Sequence, residues 1–156
     1  MKSYFQKLYQ FNVWADERVL TTLKKQSVQD EKILTLLGHY IVAQFLWIYR
    51  IKGLPAPDYK LWGNYPFEQL EKMSTEVGKL WLEFVESNDD FSRELTYKNF
   101  VGDLYSNNVE MIMIHVVNHS SYHRAQIALL LRQKGFEAIN TDFITYDRVI
   151  RGEWKD

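Results

Sequence analysis

Four histidines occur in this chain, and three of them fall within nine residues, His115-Val-Val-Asn-His119-Ser-Ser-Tyr-His123. Four-residue spacing stacks imidazoles along one face of a helix, because residues i and i+4 are neighbours there. Neutral imidazole is a common ligand of zinc, nickel and iron, so the chemistry on offer is metal binding. One ion cannot take all three from a regular helix. His115 and His123 lie about 12 Å apart along the axis, whereas a metal–nitrogen bond is about 2.0–2.1 Å. An adjacent pair can chelate, and spacing alone leaves both His115/His119 and His119/His123 open. A further ligand must come from elsewhere, and His39 is the only other histidine. Leu36, His39, Ala43 and Leu46 follow i, i+3, i+7, i+10 spacing, an inward stripe in which small Ala43 leaves room beside the imidazole. A lone histidine on such a stripe is more often a hydrogen-bonded core residue. Three in register each need a buried partner, which favours a metal. The di-iron bundles require Glu-x-x-His pairs, and no glutamate here stands three residues before a histidine.

The elements that must carry these residues are helical. Apolar periodicity predicts a first helix from Lys2 to Lys25, with Ser3 and Gln6 spaced as a capping box. A second helix runs from Asp30 to Lys52 and ends at Gly53. Pro55 and Pro57 open a loop through Gly63-Asn-Tyr-Pro66, and Pro66 suits the first turn of a third helix ended by Asn88-Asp-Asp. Between Phe91 and Tyr105, alternation around Asn-Phe-Val-Gly-Asp reads as a short β-hairpin with Gly102 in its turn. Ser106 is placed to cap a fourth helix through Lys134, closed by Gly135. Residues 136–156 read as a tail or short helix. The fold class expected is all-α, an antiparallel four-helix bundle with a short β-hairpin before the fourth helix, forming one domain over residues 1–156.

Composition narrows the function. A net charge of −1 without any Lys/Arg run excludes the basic surface that nucleic-acid binding needs. Cysteine is absent, so the chain offers no disulfide, thiolate ligand or thiol nucleophile of its own. The N-terminus lacks an apolar signal-peptide core, and no stretch reaches the ~18 uninterrupted apolar residues of a membrane span. A cytoplasmic protein with no membrane or nucleic-acid partner is expected. Trp14, Trp47 and Trp81 sit on helical stripes and are expected in the core. Trp62 and Tyr65 in the proline-bounded loop either cover a pocket mouth or close the bundle end. Glu68, Glu71, Lys72 and Glu76 mark a solvated face of the third helix.

The run Asn118-His-Ser-Ser-Tyr-His-Arg-Ala-Gln126 resembles the N-H-x-x-Y-H-R-G-Q signature of the DinB/YfiT-like superfamily of metal-dependent enzymes. Phe11-Asn-Val-Trp-Ala-Asp-Glu-Arg-Val-Leu20 is similar to that family's first-helix motif. His39 through Trp47 resembles its second-helix histidine region, and Thr141-Asp-Phe-Ile a common tail. The resemblance implies a four-helix bundle, often a homodimer, holding Zn²⁺ or Ni²⁺ through His39, His119 and His123. His115 would then lie one turn away as a pocket residue. Ala125 departs from the usual glycine without touching a ligand. Gln126, three residues after His123, is placed to support it. Tyr122 and Arg124 point to other helix faces, where they would orient the bundle or a dimer contact.

Three neutral ligands leave the full divalent charge and an open position, the pattern of a catalytic site. Family members include S-transferases that use low-molecular-weight thiols such as bacillithiol or mycothiol. The first expectation is transfer of such a thiol onto a small-molecule electrophile, with no catalytic side chain assigned. A metal-dependent hydrolase ranks lower, because no Glu or Asp stands beside the ligands; Glu110 lies about 140° around the helix from His115. The non-enzymatic alternative is a metal-binding stress or dimerisation module that holds a ligand without turnover.

Overall fold

The computed structural model describes residues 1–99 and 101–154; Phe100 of the expected hairpin and Lys155 and Asp156 of the tail lie outside them. Its elements are α1 (Lys2–Lys25), α2 (Glu31–Lys52), α3 (Phe67–Ser87), β1 (Glu94–Lys98), β2 (Leu104–Asn108), α4 (Val109–Gln133) and α5 (Phe143–Ile150). The fold is therefore mostly helical, with a two-stranded antiparallel hairpin inserted before α4.

Local chemistry sets the helix ends. The Asp30 side chain accepts from the Ile33 N–H at 3.1 Å, a cap worth about 1 kcal/mol. Gly53 and Gly135 sit at φ +65° and +79°. There the N–H groups of Leu54 and Phe136 turn back onto the carbonyls of Tyr49 and Leu131 at 3.0 and 2.9 Å. That left-handed closure costs a side chain strain that glycine avoids. Two expected caps are corrected. Ser3 makes no cap, since α1 begins at Lys2 and the Gln6 amide instead donates to Glu86 of α3 at 2.9 Å. Ser106 belongs to β2, paired with Thr96 and bonded to its hydroxyl at 2.7 Å, so Asn108 takes the cap position and α4 starts two residues later than expected.

Contacts between helices fix the topology. Lys24 meets Glu71 while Lys2 meets Asp89, so α1 and α3 run antiparallel. His39 meets His119 and Trp47 meets His115, so α2 and α4 also run antiparallel. By contrast α1 and α4 run parallel, with Tyr9 bonded to the Met113 carbonyl and Asp16 to Arg124. Gly38 lies against Leu70, and Ile51 shares a groove with Phe84, which sets α2 parallel to α3. A parallel return requires a long connection, and residues 53–66 supply it by running back along the bundle. This loop lays Leu61 and Trp62 over the middle of α2.

The core is a single cluster in which Trp81 is fully buried and stacks on Tyr9 at 4.7 Å. Trp14 is half-buried beneath α5, 5.4 Å from Tyr146. Trp47 departs from the core expectation: it is half-buried and borders the histidine cavity. An 18-residue window of α2 reaches a mean hydropathy of 1.2, yet 61% of it is buried inside the bundle. That apolarity is what a central helix with neighbours on several sides needs.

Candidate metal centre

Antiparallel packing of α2 on α4 brings His39, His119 and His123 together, with ligand atoms all within 4.8 Å of one another. The Nε2 of His119 lies 3.3 Å from that of His39 and 3.1 Å from that of His123. Two nitrogens bound to one tetrahedral ion at about 2.0–2.1 Å stand about 3.3–3.4 Å apart. The spacing of the three rings therefore fits one ion.

The outer edges of two rings are anchored. His39 Nδ1 lies 3.1 Å from the Leu61 carbonyl, and His123 Nδ1 lies 2.7 Å from Gln126 Oε1. An oxygen of either kind only accepts, so each Nδ1 carries its hydrogen and each Nε2 turns a lone pair inward. Lone pairs from His39 and His123 thus converge on His119, whose Nε2 can offer a proton to one of them at most. Such a focus is electrostatically incomplete without a cation. The same arrangement of outer hydrogen bonds fixes ring orientation and raises basicity in protein metal sites.

Burial holds these imidazoles neutral. His39 and His123 are only 6% and 7% exposed, and desolvation lowers the pKa of both. His119 falls from its ordinary 6.5 to about 4, through burial first and then the neighbouring His123, His39 and His115. Neutral imidazole is the form that binds metal. Between about 6.5 and 4 the unfolded chain binds the His119 proton and the folded chain does not, so stability rises with pH across that window. The expected result for metal-free protein is a thermal midpoint that falls from pH 7 to pH 5, with a shallower fall in His119→Gln. An equal slope in that variant would remove His119 as the cause.

Trp62 closes the outside of the site. Its ring stacks on His39 at 3.6 Å with an interplanar angle of 13°, and meets His123 edge-on at 6.4 Å. Trp62 of this loop therefore lies against the histidine cluster, while Tyr65 packs edge-on to Tyr59. His115 stands outside the cluster, exposed, with its ring 5.6 Å from His119 and 5.7 Å from Trp47. A cavity of about 250 Å³ lies between His39, His115, His119 and Trp47. Among the described residues, no Asp or Glu lines it.

Arg124 turns away from the histidines and into the core. Its Nη1 donates to Asp16 at 2.6 Å and to Asn12 at 2.8 Å, and Gln44 of α2 donates to the same carboxylate at 3.1 Å. It orients the bundle; Tyr122, by contrast, is exposed. A wider groove of about 710 Å³ between α1, α4 and the segment before α5 contains no histidine.

Residue type could not reveal the Leu61 contact, since every residue offers a carbonyl. The Trp62 stack had a signal in the aromatic of the proline-bounded loop, but its partner depends on the crossover path.

Comparison with known proteins bears on the chain as a whole. The model of the DinB family matches residues 1–155. Protein DinB of Bacillus subtilis (strain 168) is 25% identical over 163 residues, spanning 94% of this chain and 95% of that protein.

Proposed function

This chain belongs to the DinB family, and from that premise we propose that it is a metal-dependent enzyme transferring a low-molecular-weight thiol to a small electrophile. The observation that carries the reading is the convergence of His39, His119 and His123, two of them with outer nitrogens already anchored. Zn²⁺ or Ni²⁺ suits three imidazoles. An ion held by neutral ligands retains its charge and an open position, where an exogenous thiol is acidified.

The chain's own residues set the rest. Gln126 and the Leu61 carbonyl hold two rings in register, and Trp62 shields them from bulk water. The cavity beside His115 and Trp47 admits the thiol and its acceptor. In the transfer, the S–H proton leaves to solvent and the sulfur lone pair forms a C–S bond. The displaced group departs with the electron pair of the broken bond. Hydrolysis is less well supported, because it needs a general acid or base and no carboxylate among the described residues lines the cavity.

The test begins with metal content of untagged protein by inductively coupled plasma mass spectrometry. About one equivalent of zinc or nickel is expected in wild type and near none in His39→Ala. A panel of small thiols with electrophiles follows, and wild type should consume both while His39→Ala does not. Metal retained with no thiol-dependent turnover across the panel would overturn the transferase reading and leave a metal-holding module.

A further inference from the structure

Resting on the metal reading above, we infer that the ligand of this site is a small molecule with an apolar arm. The arm seats in a second cavity beside the histidine cavity, walled by the β-hairpin.

Two cavities adjoin here, of about 250 and 290 Å³, and Trp47 and His115 border both. The inner one holds the polar chemistry, with His39, His119 and Arg50 on its walls. The outer one is lined by Trp47, Tyr97, Asn107, Met111, Ile112 and His115. Among the described residues no Asp, Glu, Lys or Arg borders it. Each cavity alone is small for a ligand, whereas the two joined fall within the ~300–1,000 Å³ that small-molecule sites occupy. A molecule that fills both is polar at the histidine end and apolar at the other.

The hairpin builds the outer wall. Strand pairing sets Tyr97 opposite Tyr105 and Leu95 opposite Asn107, and alternation puts these four on one face. Leu95 and Tyr97 pack against the core, so that face is turned to the bundle. The Tyr97 hydroxyl donates to Asn107 Oδ1 at 2.9 Å, which pairs the phenol with the amide oxygen and leaves the ring as the wall. Tyr97 meets Trp47 edge to face at 5.0 Å, and the Arg50 guanidinium carbon lies 5.0 Å over Trp47 and 5.4 Å over Tyr97. Trp47 is thereby held as the partition between the two cavities. From α4, Met111 closes the other side of the outer cavity and is itself 56% exposed. An unbranched thioether moulds to irregular apolar shapes, so an apolar arm laid there removes exposed hydrocarbon from water on both partners.

The experiment is calorimetric titration of zinc-loaded protein with straight-chain alkanethiols from ethanethiol to octanethiol. The sulfur is the metal-directed head of each probe, and the chain is the arm. Once the chain enters the outer cavity, affinity should climb about fourfold per added methylene and level off when the cavity is full. Met111→Glu and Tyr97→Ser each make that cavity polar and should flatten the climb, at unchanged zinc content and unchanged affinity for ethanethiol. Met111→Leu should keep it. Affinity independent of chain length in zinc-loaded wild type overturns this inference alone. A climb undiminished in both polar variants does the same, since the chain would then lie elsewhere. Protein that holds no zinc and binds none of the thiols overturns this inference together with the metal reading.

Discussion

His119→Ala should abolish tight metal binding while leaving the metal-free protein about as stable as wild type. His119 is the ring shared by both short Nε2 contacts, so its loss removes the centre of the donor set. The reduction should exceed the roughly 10–100-fold that loss of an outer hydrogen-bond partner costs. In metal-free protein the ring is half-buried and crowded by two inward lone pairs, so truncation opens little cavity and relieves repulsion. The readout is thermal denaturation with and without added zinc. At a hundredfold excess over Kd, a site present only in the folded state adds about 2.7 kcal/mol, roughly 5–10 °C for a domain of this size. Wild type should show that rise and His119→Ala should not. His115→Ala should keep it, because that ring lies outside the cluster. A rise lost in His115→Ala and kept in His123→Ala would move the site one turn along α4 and sink the assignment. A core role for His119 would instead show as destabilisation with no metal present.

These outcomes bear on how much of the site sequence could carry. Spacing exposes a helix face, so the histidine ladder of α4 and the stripe around His39 are legible in the order of residues alone. It does not expose register between helices. Whether His39 sits opposite the His115/His119 turn or the His119/His123 turn depends on how far α2 slides along α4. That offset is set by packing over the whole bundle and by the crossover loop. The family likeness, not periodicity, supplies the His119/His123 pair. The same limit explains the misplaced start of α4. Ser106 has the right chemistry for a cap, but pairing of Glu94 with Asn108 claims the segment for the sheet first. Local propensity loses there to a tertiary partner, as it commonly does at element boundaries. Trp47 is a further case. A tryptophan on an apolar stripe has the same pattern whether it packs against a helix or lines a cavity, and only the hairpin's position decides it.

Arg124→Met should be the most destabilising substitution outside the hydrophobic core. The guanidinium is fully buried and bonds Asp16 at 2.6 Å. Burial pushes the Asp16 carboxyl up, and Arg124 is the charge that opposes the rise. Removing one partner of a buried ion pair costs about 3–5 kcal/mol, since the other charge is left uncompensated, which corresponds to roughly 6–20 °C. That loss is a large share of a typical domain's stability. The stranded carboxyl has a way out, because it can take up a proton in the folded state. Its folded pKa then stands further above the unfolded value of 3.8, so folding binds a proton in that range and the variant gains stability as pH falls. The gap between wild type and Arg124→Met should therefore narrow from pH 7 to pH 5. Asp16→Asn in the Arg124→Met background removes the charge chemically. It should restore part of the stability at pH 7, although Asp16→Asn alone is harmful because it strands the arginine. Denaturant unfolding of the four proteins gives the coupling directly. Additive losses, with no pH dependence in the gap, would mean that Arg124 serves as buried volume rather than as a charge. The network spans α1, α2 and α4 through Asn12, Gln44 and Arg124. It thus holds in place the two helices that carry the histidines without touching any ring, and its loss should weaken zinc binding only as far as it unfolds the bundle.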